Sequence, residues 1–370
     1  MNALKFGLIS LAALSGATVA HAQANEEARL RPQWEKLDAN KDGKVTLAEL
    51  PPMQAGAMRR SDIDGNGEIS LAEYVRFDHD PAGASRMPLS DNVRLIADLP
   101  YAGTSDWRQT LDVYLPKSPT VKGPLPVIAY VHGGGWTTGS KDMARSQMMN
   151  LVQTGRYAAV SINYRLAWQS RWPAQINDVK AAIRWIRGNA AQYGFDPKRI
   201  CASGSSAGGH LVGELGTTGG VASVEGTLGN YRRQSSRVQC VVDMMGPADL
   251  ANLDGVGEGP SPIVLMLGGT PAEKPELARN ASPISFIDRS DPPFLLIHGS
   301  KDPTVPYTES VKMEAALRAA GVPVLFQTID GGGHGDFGAA SPDVAERTRL
   351  FFEQQFYDPK IVVPTDTLKR

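Results

Sequence analysis

The sequence predicts an α/β chain: a mostly parallel, doubly wound sheet preceded by a small all-α domain. Three observations carry this. From about Val93 onward short apolar runs alternate with helical segments, a twelve-residue acidic, glycine-bearing pattern occurs twice before that, and a stretch rich in Pro, Gly, Ser and Asp separates the two regions. Strands alternating with helices build a parallel sheet covered on both faces, whose ligands bind at the carboxyl ends of the strands.

At the start of the chain, Lys5 precedes an apolar run from Phe6 to Ala20, and Ala20-His21-Ala22 fits the small-x-small cleavage rule. Residues 1–22 are expected to be a secretory signal, since the run is short for a membrane span, and the mature chain is expected to be secreted or periplasmic. The 370 residues carry a formal net charge of −1 with no acidic or basic block, so nothing points to nucleic acid or an anionic membrane surface, and neither is expected as a partner.

The helical stretch NEEARLRPQWEKL places Leu30, Trp34 and Leu37 on one face. It leads into DANKDGKVTLAE, with Asp38, Asn40, Asp42, Lys44, Thr46 and Glu49 at positions 1, 3, 5, 7, 9 and 12 and Gly43 at 6. DIDGNGEISLAE repeats the pattern with Asp62, Asp64, Asn66, Glu68, Ser70 and Glu73 around Gly67, and Val45 and Ile69 both take position 8. Oxygen side chains at 1, 3 and 5, a carbonyl at 7, a turn glycine and a closing glutamate form the EF-hand calcium pattern. The two loops start only 24 residues apart, with Pro51-Pro52 opening the segment between them, a spacing that also resembles dockerin repeats. Residues 23–78 are therefore expected to form an EF-hand pair with two structural calcium sites, a candidate docking module for an extracellular partner. Residues 79–92 are expected to be a linker.

In the second region TLDVYL, PVIAYVH, YAAVSINY, RICASG, VQCVVDMM, PPFLLIHG and PVLFQTI are expected strands. WPAQINDVKAAIRWIRGNA, SVKMEAALRAAG and PDVAERTRLFFEQQF are expected helices. The domain spans 93–358, leaving 359–370 as a tail. Cys201 and Cys240 lie in neighbouring expected strands. Because adjacent parallel strands seldom offer disulfide geometry, free buried thiols are the favoured reading, with a bridge left open.

Chemistry concentrates in ICASGSSAGGH. Centred on Ser206, the frame G-x-S-x-G has Gly204 and Gly208; centred on Ser205 it would have Ser203 and Ala207. Only Ser206 fits a nucleophile at a strained strand-to-helix turn. YVHGGGW closes an earlier strand, where the amides of Gly134 and Gly135 can face a developing oxyanion together with that of Ala207. A serine needs a base and the base a carboxylate, in the chain order Ser, acid, His. His21, His79, His132, His210 and His298 fall in the signal, the linker, the glycine motif or too early, which leaves His334. Asp302, in the loop after PPFLLIHG, is the expected acid; Asp291 lies at the wrong end of its strand and Asp336 is a distant rival. No cofactor is expected for catalysis.

With these motifs, and with SINYRLA and SPISFIDRSDPPFLLIHG, the chain over roughly 93–357 resembles α/β-hydrolase esterases of the hormone-sensitive-lipase type. More narrowly it is similar to the bacterial feruloyl- and acetyl-esterase-like group. The resemblance implies a serine carboxylesterase with triad Ser206, Asp302 and His334, acting on short-chain or carbohydrate-linked esters. Trp136, Tyr164 and Trp172 are candidate substrate-binding residues, with Arg165 and Trp168 nearby; packing of loops is the alternative role. Little chain is free for a lid beyond residues 217–237 and 250–291. A serine peptidase of the prolyl-oligopeptidase type shares the triad order but normally carries a large propeller. A non-catalytic calcium-dependent adhesion protein would have no reason to keep all three triad members.

Overall fold

The computed structural model describes residues 27–28, 30–32, 34–46, 48–50, 66–79, 89–253, 261–335 and 341–369. The expected signal segment, Pro51-Pro52, Asp62, Asp64 and Asp336 lie outside the described residues. The chain divides into two compact units, Met1–Ala82 and Gly83–Arg370.

In the first unit the expected helical face is the packed one: Leu30 and Trp34 are buried and Leu37 packs beside them. They meet Val45 and Ile69, the two position-8 residues, which pair directly across strands β1 (Val45–Thr46) and β2 (Glu68–Ile69). Trp34 Nε1 donates to the Ile69 carbonyl at 3.0 Å, tying helix to strand. Helix α1 (Leu71–His79) follows, opened by a reciprocal cap in which Ser70 N and Oγ donate to Glu73 Oε2 and Glu73 N donates back to Ser70 Oγ.

Among the described residues of the second unit, nine strands form one sheet. In chain order the strands are β3 (Val93–Pro100), β4 (Thr110–Pro116), β5 (Leu125–Val131), β6 (Ala158–Ile162), β7 (Phe195–Ser205), β8 (Cys240–Met244), β9 (Phe294–Gly299), β10 (Val324–Asp330) and β11 (Leu368–Lys369). Across the sheet they run β11-β10-β9-β8-β7-β5-β6-β4-β3. The β3/β4 and β4/β6 pairs are antiparallel and the others parallel. The parallel strands read as unbroken apolar runs because both faces are covered. Along β5, Leu125, Val127, Ala129 and Val131 join one core while Ile128 and Tyr130 join the other. Helices α3 (Ala174–Gly188) and α4 (Ala207–Thr217) cover the first face; α2 (Ala144–Val152) and, after α5 (Thr308–Ala319), α6 (Pro342–Phe356) cover the second.

Four sequence expectations change here. Val93–Pro100 is a strand, with a bulge between Ile96 and Leu99 that breaks its pattern. The tail is not loose: Leu368 pairs with Ile329 in parallel register, Val363 is buried, and Arg347 Nη2 meets Asp366 Oδ1 at 3.0 Å. At the end of the expected linker, Leu89 packs on the second core and Asn92 is held by backbone and side chain, its Nδ2 donating to the Gln153 carbonyl at 3.0 Å. Finally, Cys201 and Cys240 are bridged rather than free. Parallel register sets them directly opposite on β7 and β8, and their Cα atoms are 4.6 Å apart, within disulfide reach.

Candidate active site

The sheet brings the three chosen residues to the carboxyl ends of its parallel strands. β7 ends at Ser205, Ser206 takes φ +56° and ψ −122°, and α4 begins at Ala207. This sharp reversal needs the flanking glycines for steric reasons. A Cβ on Gly208 would lie 2.1 Å from the Val131 carbonyl oxygen, and one on Gly204 2.3 Å from the Gly208 oxygen. Ser206 is fixed by its own backbone, its N–H donating to the Met244 carbonyl at 2.8 Å and its carbonyl accepting from His210 N at 2.9 Å.

Asp302 stands in the loop after β9 and His334 in the loop after β10. His334 Nε2 is 3.0 Å from Ser206 Oγ, and its Nδ1 is 2.7 Å from Asp302 Oδ2. A carboxylate accepts, so the network assigns the proton to Nδ1 and leaves the Nε2 lone pair for the serine hydroxyl. Burial alone would raise the Asp302 carboxyl. Hydrogen bonds from His298 and His334, and from the backbone N–H of Val305 and Thr304, outweigh it and hold the group well below the usual carboxylate range.

His298 is the residue that sequence reasoning set aside. It is fully buried, with Nε2 3.2 Å from Asp302 Oδ2 and 3.1 Å from the Val305 carbonyl, and Nδ1 2.7 Å from Ser310 Oγ. Both neighbours of Nε2 are acceptors, so Nε2 carries the proton and the Ser310 hydroxyl donates to Nδ1. Its place four residues before Asp302 was the available signal. Asp291 is buried before β9, away from these strand ends.

The glycine loop after β5 runs beside the serine: a Cβ on Gly133 would lie 3.4 Å from Ser206 Cβ. Gly134, Gly135 and Trp136 take φ of +113°, +58° and +57° in succession. The helix Pro262–Leu267 comes against this loop, since a Cβ on Gly135 would lie 3.3 Å from Pro262 Cβ.

The aromatic candidates for substrate contact are placed differently from expectation. Tyr164 is fully buried, stacked on His132 with centroids 4.3 Å apart and donating its hydroxyl to the His132 carbonyl at 3.0 Å. Trp136 and Trp172 are buried too; Trp172 Nε1 donates to Asn280 Oδ1 at 2.8 Å. Arg165 is taken up by buried Asp178, to which its Nε and Nη2 donate at 2.9 Å. Among these, Trp168 is the partly exposed aromatic, its Nε1 donating to the Thr137 carbonyl at 3.0 Å. These aromatics shape the loops from behind, because each polar tip finds a hydrogen-bond partner on the protein.

In the first acidic loop Asp38 accepts from Asp42 N at 3.2 Å and Gly43 N at 2.9 Å, and Asn40 Oδ1 accepts from Asp42 N at 2.8 Å. Glu49 Oε2 accepts from Thr46 N at 2.7 Å and Oγ1 at 2.9 Å. Gly43 and Gly67 turn at φ +85° and +86°. The position-7 side chains Lys44 and Glu68 pair with each other at 2.8 Å, leaving only their carbonyls for the loop. Among the described residues no three acidic, histidine or cysteine side chains converge into a metal cage; these carboxylates bind loop N–H groups. The donor set of the loop is all oxygen, which fits a hard cation.

The BD-FAE family model matches residues 111–317, more than half of the chain. This chain belongs to the BD-FAE family. The BD-FAE match takes in Ser206 and Asp302 and stops short of His334, whose place in the site rests on the geometry above. Among curated relatives, the esterase LipQ of Mycobacterium tuberculosis is 35% identical over 228 residues, 61% of this chain and 53% of its own. The esterase LipC of the same organism is 34% identical over 265 residues, 67% of this chain and 63% of its own. This BD-FAE chain thus spans between about half and two thirds of those relatives. Among solved structures, a truncated carbohydrate esterase from gut microbiota is 37% identical with a TM-score of 0.69, covering 72% of this chain and 98% of that one. Esterase 2 of Thermogutta terrifontis, 24% identical with a TM-score of 0.59 over 75% of this chain and 98% of that one, shares the fold.

Proposed function

We propose that this BD-FAE protein is a serine carboxylesterase acting on short-chain or carbohydrate-linked acetyl or feruloyl esters. The observation that carries the reading is the unbroken contact chain from Ser206 Oγ through His334 to Asp302 Oδ2, at 3.0 and 2.7 Å. Ser206 Oγ attacks the ester carbonyl as its proton passes to His334 Nε2, and Asp302 steadies the imidazolium. The amides of Gly134, Gly135 and Ala207 hold the oxyanion. His334 then gives its proton to the leaving alcohol. Water, deprotonated by the same nitrogen, frees the acid. Carbohydrate esters are favoured by the likeness to the carbohydrate esterase from gut microbiota.

The first unit is proposed to bind calcium through Asp38, Asn40, Asp42, Thr46, Glu49 and the Lys44 carbonyl. A second ion would be held by Asp62, Asp64, Asn66, Ser70, Glu73 and the Glu68 carbonyl. When bound, the metal supplies loop order and no chemistry to the ester. A secreted or periplasmic location is favoured by the apolar leader and the Cys201–Cys240 bridge.

The deciding experiment is a panel of p-nitrophenyl acetate, long-chain, acetyl-sugar and feruloyl esters, with a peptide amide as comparator. Ser206→Ala should lower kcat by roughly 10⁴ while Ser205→Ala keeps most activity. Equal losses in both variants, or faster amide than ester cleavage, would sink the reading.

A further inference from the structure

The histidine that closes GSSAGGH takes no part in the chemistry above, yet it is fully buried one turn beyond the nucleophile, where its N–H donates to the Ser206 carbonyl at 2.9 Å. Its ring lies under the oxyanion loop. Trp136 Nε1 donates to His210 Nδ1 at 3.2 Å, the two rings meeting edge to face with centroids 5.1 Å apart. On the other side His210 Nε2 is 2.7 Å from the Ala281 carbonyl, and Trp172 packs against the ring with centroids 5.5 Å apart.

We propose that His210 is a positioning residue for the oxyanion loop, fixing Trp136, and through it the amides of Gly134 and Gly135, relative to Ser206. The inference rests on the reading of those amides as the oxyanion hole.

Three features argue for it. First, the loop needs an anchor. Gly134 and Gly135 take positive φ freely, but Trp136 at +57° does not, and such backbone in a residue other than glycine persists only where surrounding contacts over-determine it. Trp136 is tied by the Ala167 N–H on its carbonyl at 2.7 Å and by its own Nε1–H on His210.

Second, the two neighbours of His210 allow one protonation state. An indole N–H can only donate and a carbonyl oxygen can only accept, so Nδ1 must be bare and Nε2 must carry the proton. Burial pulls the imidazole down to about 4, which keeps Nδ1 an acceptor at neutral pH. Neither an apolar side chain nor a second donor would satisfy both partners.

Third, the anchor sits on the right element. His210 is carried by α4, the helix that begins at Ala207 and whose first amide completes the proposed hole. Any tilt of that helix would carry Ser206, Ala207 and the ring together, so the His210 side chain ties the loop directly to the element that carries the nucleophile. This matters because oxyanion donors act only when aimed at the position the charge will occupy, and losing one costs roughly 10²–10³ in kcat.

The test is a double-mutant cycle on full-length protein with p-nitrophenyl acetate and a boronic acid transition-state analogue. Trp136→Phe keeps an aromatic ring but removes the donor; His210→Leu removes the acceptor; His210→Asn returns an oxygen near the position of Nδ1. Each of the first two should lower kcat by roughly 10–100-fold with KM changed less than about threefold, and should weaken the analogue in the same proportion as kcat/KM. The double variant should be no worse than the poorer single, and His210→Asn should recover a large part of the loss.

Multiplicative losses in the double variant, a rise in KM with kcat intact, or analogue binding that stays unchanged would overturn the proposal. If His210→Leu does not fold, Trp136→Phe with the analogue decides alone. Ser206→Ala separates the two readings. If it abolishes turnover while the His210 and Trp136 variants leave kcat and analogue binding intact, the anchor is wrong and the esterase reading stands; if it leaves turnover, the esterase reading itself falls.

Discussion

His298 Nε2 lies 3.2 Å from Asp302 Oδ2, the same carboxylate oxygen that faces His334 Nδ1 at 2.7 Å. Two imidazoles thus share one oxygen. One faces the serine and the other is fully buried behind the acid, between Ser310 Oγ and the Tyr307 ring, with buried Asp243 as a further charged neighbour.

Removing the hidden donor takes away one of the hydrogen bonds that hold the Asp302 carboxyl low, so that carboxyl should rise. The triad needs Asp302 ionised, so the acid limb of kcat/KM should move to higher pH. The shift should be larger in His298→Leu than in His298→Gln, which keeps an N–H near the same place. Ser310→Ala should shift it the same way by less. A pH–rate profile that stays fixed while the melting temperature falls would reduce His298 to packing.

The bridge gives the second prediction. Cys201 and Cys240 are 39 residues apart, and closing a loop of that length constrains the unfolded chain by about 4 kcal/mol in the chain-entropy model. The Cys201→Ala/Cys240→Ala variant should therefore melt roughly 10 °C lower while keeping its activity at 25 °C. A melting temperature that does not respond, together with two titratable thiols in the unfolded wild type, would show the cysteines to be unpaired.

The legible and illegible parts of this chain differ for physical reasons. The frame around Ser206 could be read because it is steric: only glycine fits at 204 and 208, where the turn and the neighbouring strand leave no room for a Cβ. Asp302 and His334 followed from the order of motifs along the sheet. The roles of His298 and His210 could not be read, because each depends on buried partners on other segments, among them Ser310, Trp136 and Ala281. The bridge was misjudged because it hangs on a one-residue register between β7 and β8, and the last strand because two residues carry no periodicity. Aromatics near the cleft read as substrate contacts since sequence cannot tell a wall from its backing.

Asp243 yields a prediction with a definite sign. It is buried on β8 beneath the turn that carries Ser206, its Oδ1 accepting from Gly246 N at 2.9 Å, and burial pushes its carboxyl up from 3.8 to about 6. A carboxyl with a raised folded pKa binds more protons folded than unfolded. Stability therefore falls as pH rises from about 4 to 6, and the loss persists at neutral pH. Asp243→Asn keeps the acceptor without the charge. It should raise the melting temperature by a few degrees at pH 7.5, within a ceiling of about 3 kcal/mol, and lose the advantage near pH 4. A variant less stable by the same amount at both pH values would show that the ionised carboxylate is matched by its surroundings.

Calcium is the last. Every proposed ligand lies between Asp38 and Glu73, whereas on the proposed reading Ser206, His334 and Asp302 supply nucleophile, base and acid without a Lewis acid. Three carboxylates per loop place the affinities anywhere from about 10⁻⁶ to 10⁻³ M. In the first loop those carboxylates are gathered by backbone N–H groups, and without a cation their mutual repulsion opposes the turn. Isothermal titration of metal-stripped protein should therefore show two calcium sites, reduced to one by Glu49→Gln and to none by adding Glu73→Gln. Chelation with EDTA should open residues 23–78 to protease, yet change kcat on p-nitrophenyl acetate less than about twofold. Absence of calcium binding at millimolar concentration would remove the metal from the first unit and leave Glu49 and Glu73 as hydrogen-bond partners of their own loops. Loss of turnover on chelation, restored by added calcium, would instead mean that the ion supports the catalytic site.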